Sequence, residues 1–194
     1  MLEIKTVKSE KELKKLFNIL SEIFYDDAVE NKEHYYTMSE RYEEMKFQFK
    51  NDKDFMMYIE DNNRIVAGLT GKNLDCEKKK ITIGVLAVKK EYRMKGLATK
   101  LVNEFENRCR KKKIEHIDLG ARSRVCNFYK NLNYNYSLMV QVFDFVTIND
   151  VRKLNKFNLN EIYSWQGETY GFIKFKVNCI NKEIIDYFER NIKT

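Results

Sequence analysis

Apolar and polar positions alternate from Ile4 to Lys8, which predicts a short strand; Leu13, Leu16, Phe17, Leu20 and Phe24 then repeat at helical spacing. Ser9, with Glu12 three residues on, forms the capping box that opens this helix. The polar run Asp26–Glu33 reads as a loop, and Thr37-Met38-Ser39 then caps a second helix carrying Tyr42, Met45 and Phe49 on one face. Phe55–Glu60 and Arg64–Thr70 read as an antiparallel hairpin turning at Asp61-Asn62-Asn63.

A polar connection, Leu74–Lys80, leads to Ile81–Val88, a β-rich run with few polar interruptions of the kind a central strand needs. From Gly96 to Arg110, Leu97, Leu101, Val102, Phe105 and Cys109 fall on one face, which makes this the clearest helix in the chain. Ile114–Leu119 predicts a strand, Arg124–Leu132 a short helix and Ser137–Phe145 another strand. Beyond these, Val151–Phe157 reads as helical, Gly171–Val177 as a strand and Ile180–Ile192 as an amphipathic closing helix. No repeat, low-complexity segment or linker interrupts the sequence, so the 194 residues are expected to form a single α/β (α+β) domain.

Composition narrows the class. No apolar stretch approaches the ~18–20 residues of a membrane span, and the first residues lack the apolar core of a secretory signal, so a cytoplasmic protein without a membrane partner is expected. Cys76, Cys109, Cys126 and Cys179 are scattered, with no C-x-x-C pair and no histidine at ligand spacing; they read as reduced and mostly packed thiols, and no metal is implied. The net charge of +7 suits an anionic ligand and would equally suit nucleic acid. The lysine-rich runs Lys78–Lys80 and Arg110–Lys113 fall in a predicted loop and at a helix C-terminus, where cations are favoured anyway, so solvated charge is the simpler reading.

The candidate chemistry lies between Leu86 and Ala98. A buried strand ends at Val88, a polar turn follows, and Arg93-Met94-Lys95-Gly96-Leu97-Ala98 opens the clearest helix. A helix start presents amide N–H groups without internal partners and a partial positive charge, so it favours an anion. Gly96 would let a phosphate approach without meeting a Cβ, and Arg93 and Lys95 add positive charge.

These residues resemble the signature of the GNAT acetyltransferase superfamily, R/Q-x-x-G-x-G/A after a strand ending in L-x-V, here Leu86-Ala87-Val88 and Arg93 to Ala98. A second segment, Arg122 to Tyr134 with Phe128-Tyr129 and Asn133-Tyr134, is similar to that family's fourth helix and its F-Y-x-K-L-G-F ending. The resemblance covers Ile81–Tyr134, the order of elements extends it back to Ile4, and it thins after Phe145, so it says least about residues 146–194.

The resemblance implies a mixed, mostly antiparallel sheet flanked by helices, with the strands ending at Val88 and near Leu119 parallel and splayed around coenzyme A. It implies N-acetyl transfer from acetyl-coenzyme A to a primary amine on a small molecule or peptide. Main-chain groups of Leu86, Ala87 and Val88 would pair with the pantetheine arm, and amides of Arg93, Met94, Lys95, Gly96, Leu97 and Ala98, with the Thr99 hydroxyl, would hold the pyrophosphate. Asn127 and Phe128 would flank the arm, and Tyr129 would protonate the departing thiolate. The aromatic and Met-rich stretch of Tyr35, Tyr36, Met38, Tyr42, Met45 and Phe47 lies where that family commonly lines its acceptor site.

Three departures bear on this expectation. Some relatives carry a glutamate on the central strand as general base, but here only Thr82 and Gly84 interrupt the apolar run; Glu60 and His34 are the alternatives, ahead of His116. Asn133 replaces the usual glycine, and Arg122 stands where many members have asparagine. The competing readings are a non-catalytic acyl-coenzyme A-binding regulatory module and, on charge alone, a nucleic-acid-binding protein. The stretch Val146–Tyr170 would cover a strand or supply the contact of a homodimer.

Overall fold

The computed structural model describes residues 2–31, 39–121, 125–134, 138–143, 159–164 and 170–175. The chain divides into two compact units, Met1–Ala121 and Arg122–Thr194.

The first unit runs β1 (Ile4–Thr6), α1 (Glu10–Glu30), α2 (Ser39–Asn51), β2 (Met56–Asp61), β3 (Arg64–Asp75), β4 (Lys80–Val88), α3 (Leu97–Lys111) and β5 (His116–Leu119). Its sheet has the order β1-β2-β3-β4-β5, with antiparallel pairing from β1 to β4 and a parallel β4–β5 pair. This is the mixed, mostly antiparallel sheet expected from the sequence. Ser9 caps α1 as its spacing implies, with the side chain accepting the Glu12 N–H at 3.2 Å.

One layer of core joins Leu13, Leu16, Leu20 and Ile23 of α1 and Met45 of α2 to Met56, Tyr58, Ile65, Val85 and Ala87 of the sheet. The α3 layer is built on Phe105, whose ring lies 5.1 Å from that of Phe55. Gly71 makes room for this contact: a Cβ there would lie 2.8 Å from Phe55 Cβ and 2.9 Å from Ile81 Cδ1. The β3–β4 register shifts between Thr70↔Val85 and Gly71↔Ile83, so Gly84 is the extra residue of a bulge. Because one extra residue exchanges the faces of a strand, Ile81 lies with Phe105 while Val85 and Ala87 join the α1–α2 layer.

Two elements run further than their sequence pattern suggests. α1 continues through Asp26–Glu30, read above as loop, because Asp27 and Ala28 are buried and Asp27 and Glu30 pair with Arg93 and Lys90. Those partners are 66 and 60 residues away, so local pattern cannot reveal them. β3 likewise continues to Asp75, with Lys72 opposite Thr82 and Asp75 opposite Lys80, and extends the hairpin into the polar stretch read as a connection.

The second unit holds α4 (Cys126–Asn131) and an antiparallel sheet of β6 (Leu138–Phe143), β7 (Leu159–Ser164) and β8 (Tyr170–Phe175) in the order β6-β8-β7. β7 lies in the stretch read as irregular; its pairing shifts between Leu159 and Glu161, which breaks the alternation that would have marked it. The helices expected at Val151–Phe157 and Ile180–Ile192, and the cap at Thr37-Met38, lie outside the described residues. Among the described residues no helix is long and apolar enough to cross a membrane.

Candidate functional site

The parallel pairing of β5 with β4 covers only Lys80 to Ile83 and stops at the bulge. Beyond it, Val85–Val88 pairs with β3 on one edge, and among the described residues no strand covers the other. The Lys89 N–H donates to the Val66 carbonyl at 2.9 Å. Antiparallel alternation then turns the main chain of Ala87 towards Gly68, and that of Leu86 and Val88 towards the uncovered edge. The Val88 carbonyl there accepts the Arg93 Nε at 3.2 Å.

After Val88 the chain makes a 3₁₀ turn at Lys90–Tyr92 and passes through two left-handed residues, Met94 (φ +60°) and Gly96 (φ +74°). Gly96 is the N-cap of α3, and a Cβ on it would meet nothing within 4 Å. The glycine therefore serves backbone geometry and an open outer face, not internal packing. Intrahelical bonding begins with the Lys100 N–H on the Gly96 carbonyl at 2.9 Å, so the amides of Leu97, Ala98 and Thr99 precede it. No side chain caps this terminus and its first turn carries no acidic residue, whereas Arg108, Arg110 and Lys111 complement the dipole at the far end.

The cations of the loop are engaged by neighbouring elements. Lys89 pairs with Glu22 at 3.1 Å, Lys90 with Glu30 at 2.8 Å, and Arg93 Nη2 with Asp27 Oδ1 at 3.3 Å, all on α1. Tyr92 donates its hydroxyl to Asp61 Oδ2 at 2.8 Å, and that bond raises the phenol above its ordinary value. Lys95 Nζ stands 4.9 Å from the centre of the Tyr92 ring. Asp27 and Glu30 escaped the sequence reading because they sit in a stretch that looked like loop. The one compositional sign was that the second half of α1 carries the acidic residues Glu22, Asp26, Asp27 and Glu30, opposite in charge to Lys89, Lys90 and Arg93.

On α4, Tyr129 is 9% exposed, Phe128 half-buried and Asn127 exposed. Burial pushes the Tyr129 phenol from 10.0 to about 12. Its ring meets Phe128 edge-on at 4.9 Å and Tyr134 at 5.7 Å. The helix closes with the N–H groups of Leu132 and Tyr134 on the Tyr129 carbonyl, each at 3.0 Å, while Asn133 adopts φ +62°. Asparagine thus performs the left-handed turn that glycine makes elsewhere.

Of the candidate bases, Glu60 is held by Lys5 of β1, His116 is exposed on β5, and His34 lies outside the described residues, with Tyr35, Tyr36, Met38 and Arg122. Several residues of the basic runs are also paired: Lys78 with Asp75, Lys79 with Glu115, Lys80 with Asp118, Arg110 with Glu106, and Lys112 with Asp52 and Asp54.

The sequence model of the acetyltransferase (GNAT) family matches residues 13–134, and the chain belongs to that family. No curated protein sequence matches it. Among solved structures it is similar to an aminoglycoside acetyltransferase from an uncultured soil metagenomic sample, at 18% identity and a TM-score of 0.53 over 71% of this chain and 94% of that one. A GNAT-family acetyltransferase from Staphylococcus aureus superposes with a TM-score of 0.56 at 13% identity, over 91% of this chain and 100% of that one. The ribosomal-protein-S18-alanine N-acetyltransferase of Escherichia coli gives 0.52 at 11% identity, over 94% and 97%. At these identities the likeness is one of fold.

Proposed function

We propose that the protein is an N-acetyltransferase that moves the acetyl group of acetyl-coenzyme A to a primary amine. The observation that carries this reading is the start of α3 at Gly96, which no side chain caps, one loop after a strand whose last residues have an edge that no strand among the described residues covers. A diphosphate suits the first element, because amides and dipole favour an anion and no Cβ stands in the way. An extended arm bearing amides suits the second, where Leu86 and Val88 turn their main chain outwards. The residues that would hold the coenzyme are Leu86 and Val88, with Ala87 between them, and Arg93, Met94, Lys95, Gly96, Leu97, Ala98 and Thr99; the family motif adds Asn127 and Phe128.

Bound there, the thioester supplies an acyl group already activated towards amines. The N–H of Leu86 or Val88 would donate to the acyl oxygen as negative charge grows on it. On the family motif Tyr129 is the proton donor to the thiolate sulfur. With a pKa of about 12, its phenol stays protonated across the physiological range. A free thiol titrates near ~8.5, so this transfer runs uphill unless the sulfur shares the dry surroundings of Tyr129, which would raise its proton affinity as well.

A non-catalytic coenzyme-binding role is the second reading, favoured by a β4 without a carboxylate and a Glu60 tied to Lys5. The nucleic-acid reading is weakened by the pairing of the lysine runs. The test is thiol release from acetyl-coenzyme A across a panel of small amines, amino acids, aminoglycosides and peptides. Amine-dependent release supports transfer; binding of acetyl-coenzyme A without release on any acceptor supports the sensor.

A further inference from the structure

We propose that Asp27 is the positioning residue of the donor loop: acting through Arg93, it ties the end of β4, and with it the loop that leads to α3, to α1. This role rests on the donor-site reading above. Asp27 is the innermost of the three α1 carboxylates facing the loop, its side chain 10% exposed against 53% for Glu22 and 47% for Glu30. Its partner Arg93 lies between the two parts of the site, five residues after Val88 and three before Gly96. The Arg93 guanidinium joins α1 to the end of β4: Nη2 meets Asp27 Oδ1 at 3.3 Å and Nε meets the Val88 carbonyl at 3.2 Å. A planar fork with several donors can hold two acceptors in fixed relation, which a lysine ammonium on a flexible stem does poorly.

The consequence concerns how an anion is held. Lys89, Lys90 and Arg93 are all engaged with α1, so the phosphate groups fall chiefly to main-chain amides. Amides bind well only if the loop keeps one shape, because they cannot reach for the ligand as a long side chain can. The exposed pairs at Glu22 and Glu30 add little, as surface ion pairs generally do. The pair at Asp27, whose carboxylate is the largely buried member, is therefore the one that holds the loop.

The experiment measures acetyl-coenzyme A binding by calorimetry, amide exchange by mass spectrometry and thermal midpoint for wild type, Asp27→Asn, Arg93→Lys and the double variant. Arg93→Lys keeps a cation beside Asp27, so it tests the link to Val88 without leaving a buried charge unpaired. Each single variant is expected to weaken binding about tenfold or more, and the double variant no further than the worse single. Exchange should rise in residues 88–99 and stay unchanged in β2 and β3, while Glu30→Gln binds within about twofold of wild type. Wild-type affinity in Asp27→Asn or Arg93→Lys, additive losses, or faster exchange throughout the first unit would overturn the role. Wild-type protein that does not bind acetyl-coenzyme A overturns the donor-site reading and this role with it; weakened binding in the variants alone cannot be mistaken for that result.

Discussion

The amide of Lys89 donates to the carbonyl of Val66 at 2.9 Å, and this one bond sets the direction of every main-chain group at the end of β4. Through alternation, Ala87 is bonded into the sheet while Leu86 and Val88 face the uncovered edge. Residue-resolved hydrogen exchange by NMR should find the Ala87 amide protected in the free protein and those of Leu86 and Val88 exchanging faster. Adding acetyl-coenzyme A should slow Leu86 and Val88 and leave Ala87 as it was. Protection of all three without ligand would mean that this edge is covered.

Gly96 separates the demands of ligand and fold. An alanine there must adopt φ +74°, at a strain of ~1–2 kcal/mol, yet its Cβ would meet nothing within 4 Å. Gly96→Ala should therefore fold with a modestly lower thermal midpoint but bind acetyl-coenzyme A at least about tenfold more weakly, because the methyl group occupies the approach to the α3 amides. The same loss of stability with an affinity within about twofold of wild type would show that only the backbone matters there.

Tyr129→Phe removes a hydroxyl and leaves a ring of the same shape against Phe128 and Tyr134. Turnover should fall on the order of 10- to 100-fold with acetyl-coenzyme A affinity unchanged, as for loss of a general acid. Since burial lifts the phenol to about 12, wild-type activity should show no alkaline limb from this residue below about pH 10. An unchanged turnover would remove Tyr129 from the mechanism.

The two glycines Gly71 and Gly120 make a matched pair for the core. A methyl group on Gly71 would press on Phe55, Ile81 and Phe105 at 2.8, 2.9 and 3.2 Å, whereas one on Gly120 meets nothing within 4 Å. Gly71→Ala should cost ~1–3 kcal/mol or more in denaturant unfolding, and Gly120→Ala within about 0.5 kcal/mol of zero.

What the sequence disclosed follows from how local each signal is. The strand at Ile81–Val88 and the helix after Gly96 rest on periodicity and on glycine, both of which act within a few residues, and the structure has them where expected. The left-handed turn at Asn133 was legible for the same reason. The last turns of α1 were not, because Asp26 to Glu30 is polar and is held as helix by Lys90 and Arg93, residues distant in the chain. The bulge at Gly84 was equally hidden, since Ile81–Val88 reads as one β-rich run and only pairing with β3 shows that its two halves face different layers. Both hidden features belong to the candidate site: one anchors its loop, and the other marks where β4 parts from β5.

Cys109 offers a test of the α3 core that is independent of any ligand. It is 2% exposed, and burial pushes its thiol from 9.0 to about 12. In the native protein at pH 8 the peptide carrying Cys109 should resist alkylation, while that carrying the exposed Cys76 is modified; both should react after denaturation. The same shift makes stability depend on pH. The folded pKa lies above the unfolded one, so the fold holds its proton more tightly, and the associated stability is complete below pH 9 and lost as pH rises towards 12. Three pKa units would correspond to at most ~4 kcal/mol. Cys109→Ala should be about 1 kcal/mol less stable at pH 7, through the small cavity it leaves, yet lose less than wild type between pH 9 and 11. Parallel alkaline curves for the two proteins, followed by urea unfolding at each pH, would show that this thiol does not titrate from a buried state.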